Sequence, residues 1–351
     1  MSALLGAGLL LGSAFGATAR AGEFCLLRGL RQARAGQEGA PALRAWALAL
    51  ATALAATQGL ALLEQIDPSQ AQVVRRDFSP LALTLGGLLF GLGMVLSRCC
   101  GARALVLLGG GNLRALITLL SLALTAQAAL TGALAPLRQA LQSVGALQLE
   151  HGTLPAWLLA SGLPSGPALA TATLLPLLLL LAYALGGGHL LRQAPRQALG
   201  ALVIGLLAGA GWWITAHVEV DPFEPAPLTS LSYIGPLAES LLFLQLAVGR
   251  DASLGPAVVL GTLAGAGVVA LASGRFRLEG FDTPRRLLAS LAGGALMGLG
   301  GVLAVGCSIG QGLSGLSTLA FSSLPACAGM LLGIHLGLQA QPPHSPQEGT
   351  S

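Results

Sequence analysis

Ten apolar runs, each about as long as a helix must be to cross a lipid bilayer, divide this chain and leave few folds open to it. They are Ala3–Ala19, Ala42–Leu63, Leu81–Ser97, Leu113–Thr131, Ala168–Leu185, Leu199–Ala216, Tyr233–Val248, Leu254–Ala272, Leu287–Val305 and Thr318–Leu338. A membrane helix takes about 20 mostly apolar residues, so about nine or ten crossings are expected. The fold class is an all-α, polytopic membrane protein. Leu154–Leu163, cut by Pro155 and ended by Pro164, is too short and reads as interfacial. Only 9% of the 351 residues are charged, against roughly 25% in soluble domains. The chain holds fifty glycines, spread through the apolar runs and not set in a G-X-Y period, which suits helices whose backbones approach closely in lipid. A soluble enzyme, a nucleic-acid binder and a disulfide-rich secreted domain are set aside.

All 18 basic residues are arginine, and they cluster between the runs, giving a formal charge of +4. Such clusters orient a membrane protein with the arginines inside. The five arginines of Arg20–Arg44 and the four of Gly274–Arg286 should therefore be cytoplasmic. Val218–Leu231, with Glu219, Asp221 and Glu224 and no arginine, should be external. Ten crossings in simple alternation cannot satisfy all three placements. One segment is therefore expected to be re-entrant, and Tyr233–Val248, which holds Gly235, Pro236 and Glu239, is the candidate. Ala17-Thr18-Ala19 resembles a signal-peptide cleavage site, but no Lys or Arg precedes it, so the run before it reads as the first membrane helix. Residues 339–351, with three prolines, read as a disordered tail.

A repeat runs through the chain. Gly87, Gly91, Gly93, Val95, Leu96 and Cys100 recur as Gly294, Gly298, Gly300, Val302, Leu303 and Cys307, every one 207 residues later. A matching cysteine closing both copies, among only five, lifts this above compositional bias. The reading is a single membrane domain over 1–338 with two pseudo-symmetric halves, about 1–135 and 198–338, expected to be inverted. Transporters built in this way hold their site at the repeat interface near the midplane.

Each copy ends in a glycine-rich break, Cys100-Gly101-Ala102-Arg103 and Cys307-Ser308-Ile309-Gly310-Gln311-Gly312. Irregular backbone at membrane depth survives only where it is buried in protein or lines a cavity, and a helix start there favours anions. Asn112 and Ser317 read as caps of the helices that follow. Each half would then offer a thiol beside a helix N-terminus.

These motifs carry a resemblance. Phe15-Gly16 with Phe24-Cys25, Gly91-Leu92-Gly93-Met94-Val95-Leu96 with Cys100-Gly101 and Gly109-Gly110-Gly111-Asn112-Leu113-Arg114, and Gly306-Cys307-Ser308-Ile309-Gly310-Gln311-Gly312-Leu313-Ser314-Gly315 are similar to the YeeE/YedE family of sulfur-compound transporters, from residue 3 to about 337. The resemblance implies thiosulfate uptake across a bacterial inner membrane through an hourglass-shaped protein. It also implies three pathway cysteines, matching Cys25, Cys100 and Cys307, and a small cytoplasmic sulfur-carrier protein as partner. The family often has Gly before its middle cysteine, where this chain has Cys99.

The chemistry is consistent with a relay. Thiosulfate is a dianion with one polarisable terminal sulfur, to which a thiol donates a weak hydrogen bond. The thiols must be neutral: a thiolate about 4 Å from one unit of substrate charge costs about 4 kcal/mol at an effective dielectric of 20. Weak sites in series allow both entry and exit. Gly101, Arg103, Asn112, Ser308, Gln311 and Glu239 are further candidates for the pathway. No catalytic residue, cofactor or resident metal is expected, and nucleic acid is not a partner. Two other readings use the same cysteines: a membrane thiol oxidoreductase or sulfur-transfer enzyme acting covalently, and a soft-metal carrier. Cys327 and Cys99 read as packing residues. His335 reads as packed without an evident partner, and Trp46 and Trp157 as members of the interfacial belt.

Overall fold

The computed structural model describes residues 3–218, 227–246, 253–281 and 283–340. Glu219, Asp221 and Glu224, and the tail from 341, lie outside them.

The first half comprises α1 (Ala3–Ala21), α2 (Leu26–Arg34), α3 (Pro41–Leu62), α4 (Pro80–Ser97), α5 (Gly101–Gly109) and α6 (Leu113–Leu130). A middle section adds α7 (Ala135–Ser143), α8 (Leu154–Ala160), α9 (Ser165–Leu185) and α10 (His189–Gln193). The second half holds α11 (Pro195–His217), α12 (Ile234–Gln245), α13 (Leu254–Ala272), α14 (Pro284–Leu303) and α15 (Ser323–Ala340). A two-residue antiparallel pair, Asp77–Phe78 with Leu147–Gln148, ties two loops together. The starts of the long helices carry the expected chemistry. Ser79 and Thr283 accept bonds from the amides of Ala82 and Arg286, each with proline next in the helix, and Asn112 Oδ1 caps α6 through Ala115 N at 3.3 Å.

Among the described residues nine segments are long and apolar enough to cross a membrane; α2, α5 and α10 extend three of them. With 12 residues, α12 is too short to cross, since at 1.5 Å per residue it reaches about 18 Å of the roughly 30 Å needed. With α12 removed from the alternation, the loops around Arg20–Arg44 and Gly274–Arg286 fall on one face, and the α11–α12 connection falls on the other. The three placements that ten crossings could not satisfy become mutually consistent with nine, the arginine-rich face being the one that the positive-inside rule expects in the cytoplasm.

Glycine decides how the long helices meet. A methyl group on Gly16 of α1 would lie 2.1 Å from the Thr262 carbonyl oxygen, and one on Gly265 of α13 would lie 2.1 Å from that of Ser13. The α4–α15 contact repeats the device, with Gly87 at 2.1 Å from Ala326 O and Gly333 at 2.2 Å from Leu88 O. Without side chains at these points the backbones touch, which is how helices associate where lipid supplies no hydrophobic drive.

The same contacts carry the repeat into space. Gly87 and Gly91 pack on Ala326 and Met330 of α15, and their counterparts Gly294 and Gly298 pack on Thr118 and Leu122 of α6. Between α4 and α14, Gly93 meets Gly293 and Gly86 meets Gly300, at 2.6 Å for methyls placed on Gly93 and Gly300. Gly293 and Gly300 stand 207 residues after Gly86 and Gly93. The contact is therefore self-complementary and antiparallel, with a pseudo-twofold axis across the helices and thus in the membrane plane. Likewise α1 packs on α13 as α11 packs on α3, and α2 on α3 as α12 on α13.

Candidate functional site

Helix α4 stops short because Arg98 adopts a left-handed backbone (φ 62°), after which Cys99 and Cys100 turn the chain into α5. Cys100 takes the N-cap position, and its thiol faces the backbone amide of Arg103 and the hydroxyl of Ser308 from the opposite half. Cys99 is buried and turns back on its own loop, its sulfur 3.6 Å from Ser97 O.

The second copy reproduces this turn with different means. Val305 leaves α14 at φ 57°, and Gly306 follows where a methyl would press on Gln311 at 2.9 Å. Cys307 is 1% exposed, and its sulfur accepts a bond from Gly310 N at 3.3 Å, three residues on, as Cys100 faces Arg103. The amides of Tyr233, Ile234 and Ile309 also point at it. A π-helical turn, Gly310–Gly315, comes next; such turns are uncommon and frequently functional. Gln311 holds it together: Nε2 donates to Ala304 O (2.8 Å) and Val305 O (3.2 Å), and Oε1 accepts from Ser323 Oγ (2.7 Å).

Cys25 comes from a third place, the N-cap position of α2. It lines a narrow cavity together with Cys100, Arg103, Phe15, Phe24, Trp46 and Ile309, with room for roughly one water. This is a constriction in the protein interior. Cys100 in turn lies within electrostatic reach of both Cys25 and Cys307. Of the three cysteines that the motifs singled out, Cys25 and Cys100 share this cavity, and Cys307 lies in the matching turn of the other half, outside its lining. Among the described residues no three of His, Cys, Asp and Glu gather as a metal-holding group.

The inverted packing assigns one residue that sequence reasoning passed over. Tyr233 caps α12 as Cys25 caps α2. It is fully buried, with its hydroxyl 2.9 Å from Thr262 Oγ1 and its ring centroid 5.3 Å from that of Phe15. Its sole sequence signal is its place at the head of the short apolar segment.

The other candidates divide. Arg103 and Ser308 stand beside Cys100, and Gln311 braces the Cys307 turn. Gly101 opens α5, where a methyl would meet Leu122 at 3.3 Å. Asn112 caps α6 and donates to Glu279 Oε2 at 2.6 Å, outside the cavity. Glu239 accepts from Ser253 Oγ at 2.7 Å and so ties α12 to the start of α13, also outside the cavity.

Three expectations are corrected. Ser317 caps no helix: its hydroxyl donates to Ser314 O (2.7 Å) and accepts from Thr57 (2.9 Å), because the π turn postpones the helix to Ser323. Trp46 is buried rather than in the belt, stacked on Phe24 with ring centroids 4.9 Å apart. His335 is exposed and pairs with Gln339 at 2.8 Å instead of packing unpartnered.

Nine membrane-length helices among the described residues make this a polytopic membrane protein, and comparison with known proteins specifies which kind. The profile of the sulphur transport family matches residues 21–336, and the chain belongs to that family. It is similar to the thiosulfate transporter TsuA of Escherichia coli K12, at 27% identity over 352 residues, covering 95% of this chain and 94% of the relative. It is also similar to the thiosulfate transporter TsuA of Spirochaeta thermophila, at 29% over 277 residues, covering 76% and 80%. The expected family is thereby confirmed, and with it a transport rather than an enzymatic role.

Proposed function

We propose that this protein takes up thiosulfate across a bacterial inner membrane, handing the anion between the neutral thiols of Cys307, Cys100 and Cys25. The observation that carries this reading is that Cys25 and Cys100 share one interior cavity, while Cys307 sits in the matching turn of the opposite half, whose Ser308 faces Cys100. Each thiol offers an S–H to the terminal sulfur, and none supplies a charge that would hold or repel the dianion strongly. The relatives' names support thiosulfate as the substrate. The arginine-rich face gathers the anion's counter-charge at the exit, where a small sulfur-carrier protein would receive it.

Radiolabelled thiosulfate uptake into proteoliposomes tests the reading. Wild-type protein is expected to take up label that unlabelled thiosulfate competes away and sulfate does not. Cys100→Ala and Cys307→Ala are expected to abolish uptake while remaining monodisperse in detergent. Uptake at the wild-type rate by both variants would refute the relay.

A further inference from the structure

Two polar groups beside Cys100 lack a nitrogen or oxygen partner. Arg103 Nη1 is inaccessible and finds no hydrogen-bond partner among the described residues; Ser308 Oγ, on a residue with 0% exposure, faces only the Cys100 thiol. Buried polar groups in folded proteins are paired nearly without exception, so each orphan requires an explanation. These two come from different halves of the repeat and flank one thiol: Arg103 lines the constriction with Cys25 and Cys100, and Ser308 stands next to Cys100 Sγ.

The charge balance points the same way. Arg103 alone is charged among the residues lining the constriction, whose walls are otherwise apolar or thiol-bearing. Glu23, the carboxylate whose field reaches Arg103, is already bonded to Arg28. Arg20, bonded to the Arg275 carbonyl, adds a like charge within range. An anion in the constriction would answer both the excess positive charge and the unused donors.

We propose that Arg103 and Ser308 are the oxyanion-binding pair of the passage, and so its specificity determinants. The guanidinium and the hydroxyl donate to oxygens at the sulfonate-like end of a tetrahedral dianion, while the Cys100 and Cys25 thiols donate to its terminal sulfur. Charge-assisted donors of this kind make the stronger contacts, and binding widens the constriction around the anion. This deepens the thiosulfate reading and rests on it. Sulfate satisfies only the oxygen pair and hydrosulfide only the thiols, so a dianion with one soft end is favoured over either.

The test is protection of Cys25 and Cys100 from maleimide alkylation by thiosulfate, read residue by residue by mass spectrometry on the purified full chain. Relative to wild type, the half-protecting concentration is expected to rise about 10-fold in Ser308→Ala and about 100-fold in Arg103→Gln, from the loss of one neutral and one charged donor. Arg103→Lys is expected to recover most of the loss. Each variant's labelling is normalised to its own rate without thiosulfate, and a melting temperature at the wild-type value separates lost binding from lost structure. Half-protecting concentrations within twofold of wild type in Ser308→Ala and Arg103→Gln would overturn the pair and leave the thiosulfate reading standing. A wild-type protein that thiosulfate does not protect would overturn both. Should Arg103→Gln not fold, Ser308→Ala decides by the same criterion.

Discussion

Replacing Gln311 by Ala should loosen the Cys307 turn by an amount that the structure allows to be worked out. The side chain is fully buried and makes three hydrogen bonds, two to the carbonyls of Ala304 and Val305 and one from the Ser323 hydroxyl. Its removal strands three buried groups. Each costs about 1–3 kcal/mol when left unsatisfied in a protein interior, while hydrogen bonds measured inside membrane proteins average about 0.6 kcal/mol. The two scales bracket a loss of about 2–9 kcal/mol in the local stability of the turn. Since 1.4 kcal/mol is a factor of ten, the lower bound alone raises the open population about 30-fold. Alkylation of Cys307, which is 1% exposed in the closed turn, reports that population directly when opening is fast. The expected result is therefore an increase of about 30-fold or more in Cys307 labelling, with Cys327 on α15 labelled at its wild-type rate. Cys307 labelling within twofold of wild type would show that Gln311 does not hold the turn.

Three further outcomes follow from the packing and the loops. Gly16→Ala places a methyl 2.1 Å from the Thr262 carbonyl oxygen and is expected to cost about 3 kcal/mol or more by overpacking, seen as a lowered melting temperature in detergent. Gly59→Ala in α3 meets nothing within 4 Å and is expected to stabilise the helix by about 0.5–1 kcal/mol; a lowered melting temperature there would contradict the placement. In the external loop, burial raises the pKa of Asp67, but bonds from the Ser69 hydroxyl and amide and from Gln70 outweigh it and hold the carboxyl below its usual range. A depressed carboxyl stabilises the folded loop above its unfolded pKa and loses that contribution as the pH falls through the folded value. Amide exchange at Ser69 should therefore accelerate below roughly pH 4, and Asp67→Asn should remove that dependence.

The long crossings and the repeat were legible because lipid imposes both a length and an apolar composition on them, and because glycines that let backbones touch must recur at helical spacing. The re-entrant segment was legible for a different reason: arginine placement leaves ten crossings without a consistent alternation, which singled out Tyr233–Val248. The short helices were not. Leu26–Arg34 carries three arginines in nine residues and reads as a loop, and it is helical because its buried side, with Gly29, lies against Leu43. Gly101–Gly109 begins and ends in glycine and is held by neighbours distant in sequence, Leu237 and Leu263 among them. Trp46 was misplaced because its partner, Phe24, lies in the turn before α2, and only the folded chain brings the two rings together. Tyr233 could not be matched to Cys25 from sequence, since the two side chains share nothing but their station in the inverted halves.

The glycine seams limit what can move. Helices whose backbones meet where even a methyl group has no room are mutually keyed, and sliding or rocking one against another would drive carbonyl oxygens into main-chain atoms. Passage of an anion must then be accommodated by the pieces that are not keyed: the nine-residue α2 and α5, the twelve-residue α12 and the π turn. The long helices would serve as a stationary frame, and structures captured with and without cargo would superimpose along them and differ only at these inserts.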